Sequence, residues 1–178
     1  QFKTAFKLGY FYGVGYFYVL LHWAAFAAEH TNYHYLLFIF ISICLPMFLA
    51  LFFGAQIAIF AILIKLFKLK TQPSIMAILF SLVWVLFELI RAFFPFNGFA
   101  WGLLSHAGWF SLEMLQSLSI FGEFGLSFTI CLFICSICLG LVYKTKRMLG
   151  LLLSVIIDLY LFGVARIKMN PIAFHEQE

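Results

Sequence analysis

In the stretch WVLFELIRAFF, residues 84–94, one acid and one base stand among apolar neighbours. Glu88 and Arg91 are three residues apart, so on a helix they share a face. Ser81, Trp84 and Pro95 continue that stripe in steps of three and four. A carboxylate and a guanidinium in oily surroundings have three uses. They can pair with each other and pin a helix end, line a cavity that holds a polar lipid headgroup, or relay a proton. The residues alone leave all three open.

Other groups offer less. Cys131, Cys135 and Cys138 share a face with Ser127. One helix cannot close a tetrahedral metal site, and no other segment supplies the missing ligands, so these thiols read as packing residues. His30 and His34 are four apart in a short loop, a weak metal pattern. Asp158 lies in an apolar run and needs a partner the sequence does not name. His22 and Trp23 suit either an interfacial anchor or a cavity wall. No Ser-His-Asp or Cys-His set gathers in a wet segment, and no phosphate loop or dinucleotide fingerprint occurs. No catalytic residue, metal or cofactor is expected in this chain.

The elements that carry these residues are membrane elements. The 178 residues are 65% hydrophobic and 10% charged, with mean hydropathy +1.07. Soluble domains run near ~25% charged. An all-α, polytopic transmembrane bundle is therefore expected, with five spans at about 8–28, 35–67, 75–93, 122–143 and 148–165. The second run is long for one span, and a kink near Pro46 is expected. The segment 93–121 is greasy but broken by Pro95, Asn97, Gly98, Gly102 and Gly108. Irregular backbone cannot face lipid, so this segment should be re-entrant or interfacial, with a short amphipathic helix between Leu112 and Ile120. The break Gly122-Glu123-Phe124-Gly125 should lead into the fourth span. Gly9, Gly13 and Gly15, with Gly122 and Gly125, are candidate helix-packing positions.

The net charge of +4 reports topology, not a nucleic-acid partner. With the N-terminus in the cytoplasm, Lys3, Lys7, Lys65, Lys68, Lys70, Lys144, Lys146 and Arg147 fall inside. Arg91, Arg166 and Lys168 fall outside, and the C-terminus exits to the outer face. The sequence begins at Gln1 and ends soon after its last apolar run, so a piece of a longer protein is expected. The membrane domain is expected over residues 1–168, with 169–178 starting a linker.

The order of these features resembles the apolipoprotein N-acyltransferases. LGYFYGVGYFYVLLHWAA is similar to the family's G-x-x-x-G-x-G-x-F…W pattern. WVLFELIRAFF with NGFAWGLLSH resembles its E-x-x-R…T-G-x-P-W…G-Y segment. LQSLSIFGEFGLSF resembles its Q-x-x-x-x-x-G-x-x-G-x-S/N-F segment, and RIKMNPIAFHEQE the link before the outer domain. Ala100 stands where the family has Pro, and Ser105-His106 where it has Gly-Tyr.

The resemblance implies a bacterial inner-membrane acyltransferase of lipoprotein biosynthesis. Such enzymes move an acyl chain from a phospholipid to the N-terminal Cys amine of a diacylated lipoprotein. A nitrilase-like outer domain supplies a Glu-Lys-Cys triad, which this chain lacks, so by itself it should be inactive. The implied partners are membrane phospholipids, a diacylated lipoprotein and that outer domain, in cis or in trans. Glu88, Arg91, Trp101, His106 and Gln116 become the candidate lipid-headgroup residues. The alternatives are a non-catalytic lipid-binding or partner protein and a small proton-coupled transporter using Glu88 and Asp158.

Overall fold

The computed structural model describes residues 2–29, 39–94 and 98–169, and their regular structure is all helical. His30, His34, Pro95, Asn97 and the side chain of Asp158 lie outside that description. The helices are α1 (Phe2–Glu29), α2 (Leu45–Leu66), α3 (Pro73–Phe93), α4 (Leu112–Leu115), α5 (Leu118–Tyr143) and α6 (Lys146–Met169). The chain divides into two compact units, residues 1–71 with 93–99, and residues 72–92 with 100–178.

Three helical stretches are long and apolar enough to cross a bilayer: Phe40–Leu66, Pro73–Phe93 and Leu118–Tyr143. α1 and α6 have comparable length, 28 and 24 residues. The spans expected at 8–28 and 148–165 fall within these two helices.

In the first unit α1 packs antiparallel on α2, and bare backbone sets the approach. A Cβ at Gly9 would lie 2.5 Å from the Phe53 carbonyl oxygen, and one at Gly13 would lie 2.9 Å from Ala50 Cα. On the facing helix, a Cβ at Gly54 would lie 2.9 Å from the Phe6 ring. Gly15, expected to share this role, faces open space. Close approach lets aromatic rings interlock. Phe17, fully buried, meets Phe53 edge-on at 5.5 Å between centroids.

The feature at Pro46 is a π-helical turn, Phe40–Cys44, that runs into α2. The Leu45 N–H donates to the Phe40 carbonyl, five residues back. Proline has no N–H to give, and its ring would strike the carbonyl four residues earlier; the wider turn makes room for both.

α3 inverts the soluble pattern. Ser81, Glu88 and Arg91 are buried, while Ile75, Ile78, Leu82, Leu86 and Phe93 are exposed. Apolar side chains outward and polar ones inward suit a helix whose solvent is lipid. On its inner face Ala77 joins a small core with Met148 of α6, flanked by Leu132, Phe133, Cys135 and Leu139 of α5.

Between α3 and α5 the chain turns at Trp101–Gly102, passes a 3₁₀ turn at Leu104–Gly108, and enters α4. Ser111 caps α4 by accepting from the Met114 N–H. The helix expected over 112–120 is thus two pieces. Ser117 donates to the Met114 carbonyl and Ser119 to that of Gln116, local bonds that compete with a continuous helix. The helical stretch Leu118–Tyr143 breaks at Gly122, whose φ of 65° suits glycine, where the break into the fourth span was expected. A Cβ at Gly122 would meet nothing, so its role is conformational, not the packing role expected. Gly125 is tight only against Phe121 of its own helix. The close approach in this unit is at Gly163 of α6, where a Cβ would collide with the Glu113 backbone.

Candidate functional site

The polar stripe of α3 ends in two side chains that hold the following loop. Glu88 Oε1 accepts from the Trp84 indole N–H at 2.9 Å and from the backbone N–H of Leu104 at 2.7 Å. Arg91 donates through Nη1 to the Trp101 carbonyl at 2.6 Å and through Nη2 to that of Gly102 at 3.3 Å. Glu88 is 5% exposed and Arg91 3%. Hydrogen bonds to charged groups contribute about 1.5–3 kcal/mol each, and in a water-poor site no solvent replaces them. Three loop residues, Trp101, Gly102 and Leu104, are thus gripped by side chains about one helical turn apart. Gly102 reaches this geometry at φ 69°, where a side chain would strain the backbone.

The far side of the loop is held by α5. The Ser105 N–H donates to Ser127 Oγ at 2.9 Å. Gly108 lies where a Cβ would come 3.4 Å from Leu126. Beside this turn opens a pocket of about 210 Å³ lined by Ser105, His106, Trp109, Leu115, Leu118 and Glu123. It combines three apolar side chains with a hydroxyl, an imidazole and a carboxylate. The Ser105 hydroxyl is buried and makes no hydrogen bond, as is Glu88 Oε2 deeper on α3. Buried polar atoms normally find partners. An unsatisfied hydroxyl on a largely apolar pocket suits a ligand with a long apolar part and an oxygen-bearing end. The volume, about 210 Å³, falls below the roughly 300 Å³ of pockets that hold drug-sized ligands.

The candidate residues separate into three groups. Glu88, Arg91 and Trp101 come together in the clamp, with Trp101 contributing its carbonyl while its indole stays half exposed. His106 lines the pocket. Gln116 turns back toward the Leu112 carbonyl at 3.5 Å and does not line the pocket. Cys131 is buried, and Cys135 packs against the Ala77–Met148 core. Sequence reasoning did not single out Ser105 or Ser127 as partners. Their signal was only one serine among several in each of two apolar segments, 22 residues apart.

Comparison with known proteins gives these features a setting. The family profile described as apolipoprotein N-acyltransferase N-terminal domain matches residues 1–136. An apolipoprotein N-acyltransferase of Rickettsia prowazekii (strain Madrid E) is 30% identical over 179 residues, 97% of this chain and 34% of the relative. That of Rickettsia bellii (strain RML369-C) is 32% identical over 129 residues, 72% of this chain and 24% of the relative. A third, from Rickettsia typhi (strain ATCC VR-144 / Wilmington), is 29% identical, over 97% of this chain and 34% of the relative. The chain thus spans about a third of the length of these relatives. No solved structure matches it.

Proposed function

This chain belongs to the apolipoprotein N-acyltransferase family, and we propose that it serves as the lipid-holding membrane part of such an enzyme. It lies in a bacterial inner membrane, N-terminus in the cytoplasm and C-terminus on the periplasmic side. Its substrates are a phospholipid acyl donor and a diacylated lipoprotein, whose N-terminal Cys receives the acyl group. The acyl-transfer groups themselves belong to an outer domain in cis or in trans. The four cysteines of this sequence lie in apolar runs, where a thiolate nucleophile is costly.

The observation that carries this reading is the pocket at the clamped loop. Trp109, Leu115 and Leu118 offer apolar contact to an acyl chain. The unpaired Ser105 hydroxyl and the adjoining His106 offer hydrogen bonds to its ester or headgroup oxygens. Glu88 and Arg91 fix the loop and touch the lipid only through it. The loop's rigidity orients the bound end, which saves ordering cost at the moment of reaction.

The test is photo-crosslinking of a phospholipid with a reactive group near its ester to the purified protein. Crosslinks are expected at residues 105–109 and 115–118, and Ser105→Trp, which fills the pocket, is expected to abolish them. Labelling unchanged by that substitution would overturn the pocket assignment. A chimera in which this chain replaces the matching third of a working relative tests the enzyme reading. It should N-acylate lipoprotein, and His106→Ala should lower that activity about tenfold with membrane level unchanged.

A further inference from the structure

A second pocket, of about 240 Å³, lies at the C-terminal end of α2 and is lined by Ile64, Lys65, Lys68 and Lys70. Three ammonium groups share one concave site. The backbone there is held in place from both sides. α2 closes with the Phe67 N–H on the Leu63 carbonyl at 3.0 Å, and the next residues form a 3₁₀ turn, Leu69–Thr71, with Leu69 buried. The antiparallel packing of α1 on α2 puts Lys3 and Lys7 toward the same end of this unit.

Lys68 is the informative residue. Its φ is 53°, the left-handed region in which a helix ordinarily ends on glycine or asparagine. A side chain there costs roughly 1–2 kcal/mol of local strain. Among the described residues the only other non-glycine in this region is Lys144, which ends α5. At Lys68 the strained residue is also one that lines the basic pocket. A helix stop alone would be served better by glycine, so the ammonium is what the position gains.

We propose that Lys65, Lys68 and Lys70 bind the phosphate of an anionic lipid at the membrane face where α2 ends. Lysine meets phosphate as a mobile point charge, and three of them complement its oxygens. Ile64 gives the pocket an apolar wall for the adjoining glycerol and acyl carbons. Basic pockets at helix ends on the cytoplasmic side are the form that headgroup recognition takes in membrane proteins, and the distribution of bases assigns this end to that side. This site is separate from the Ser105–His106 pocket in residues and in the headgroup charge it requires.

Lys68→Gly separates the charge from the backbone, because glycine relieves the strain while removing the ammonium. The protein in detergent is titrated with phosphatidylglycerol, with phosphatidylcholine and with soluble glycerol 3-phosphate, and its unfolding temperature is followed. Phosphatidylglycerol is expected to raise that temperature and phosphatidylcholine to leave it nearly unchanged. Lys68→Gly should weaken the phosphatidylglycerol response about fivefold, with no loss of stability in lipid-free detergent. Lys65→Gln and Lys70→Gln should each act in the same direction. An identical phosphatidylglycerol titration in Lys68→Gly and in the Lys65→Gln/Lys70→Gln pair overturns the site. An equal response to glycerol 3-phosphate at the same concentration overturns the lipid as its occupant. Crosslinking at Ser105 should be untouched by any of these changes, so the two pockets stand or fall separately.

Discussion

Glu88 and Arg91 are 5% and 3% exposed, each bonded to backbone of the loop that follows, whereas Lys65, Lys68 and Lys70 are exposed and gathered around a cavity. Both are clusters of charge on apolar helices. In the first, the charges are used inside the protein, to hold main chain that has no ladder of its own. In the second, like charges gather around a cavity at the protein surface. A buried charge in such a chain is thus a structural fastener, and an exposed cluster is an offer to a ligand.

The sharpest way to break the contrast is at Arg91. Arg91→Ala leaves the Trp101 and Gly102 carbonyls without their donor and should cost about 3 kcal/mol in detergent unfolding. Arg91→Lys restores a charge but not the two-pronged geometry, and should recover less than half of that loss. If Arg91→Ala unfolds with the parent, the clamp is decorative. Next in size is Gly9→Ala, where the new Cβ meets the Phe53 carbonyl. It should cost about 2 kcal/mol, while Gly15→Ala, in open space, should match the parent or gain about 0.5 kcal/mol.

Comparable is Gly122→Ala, expected to lose about 2 kcal/mol because φ 65° with ψ −177° is backbone essentially reserved for glycine, and Gly122→Asn should fare no better. Glu88→Gln should be the mildest at the clamp, because an amide oxygen still accepts from Trp84 and Leu104; Glu88→Ala loses both bonds. At the basic pocket, by contrast, Lys68→Gly should leave lipid-free stability intact. Stability loss at the clamp without loss at the lysines is the signature that separates fastener from offer.

The helices were legible because apolar runs of bilayer length leave few other structures. Gly9 and Gly13 were legible from spacing alone, and so was the break at Gly122. Gly15 lies two residues past Gly13, about 200° around the helix, so it faces away from the approach that Gly9 and Gly13, four apart, make possible. The clamp was half legible. Two charges on one helical face announced a shared task, but their hydrogen-bond partners are backbone groups 10 to 16 residues further on. Backbone groups carry no sequence signature, and the left-handed turn at Gly102 that aims a carbonyl at Arg91 is a property of the folded loop. Gln116 is the contrasting case: it stands in a familiar motif position, and its amide turns toward a carbonyl of its own turn.

The π turn at Phe40–Cys44 has one more effect. Carrying one residue more than an α turn, it advances the angular phase of everything behind it by about 100°. A helical wheel drawn without interruption through that stretch superimposes two faces that point in different directions. Residues within Phe40–Cys44 and residues beyond Leu45 therefore answer to separate periodicities, so an apolar stripe can change sides of one rod without a visible bend.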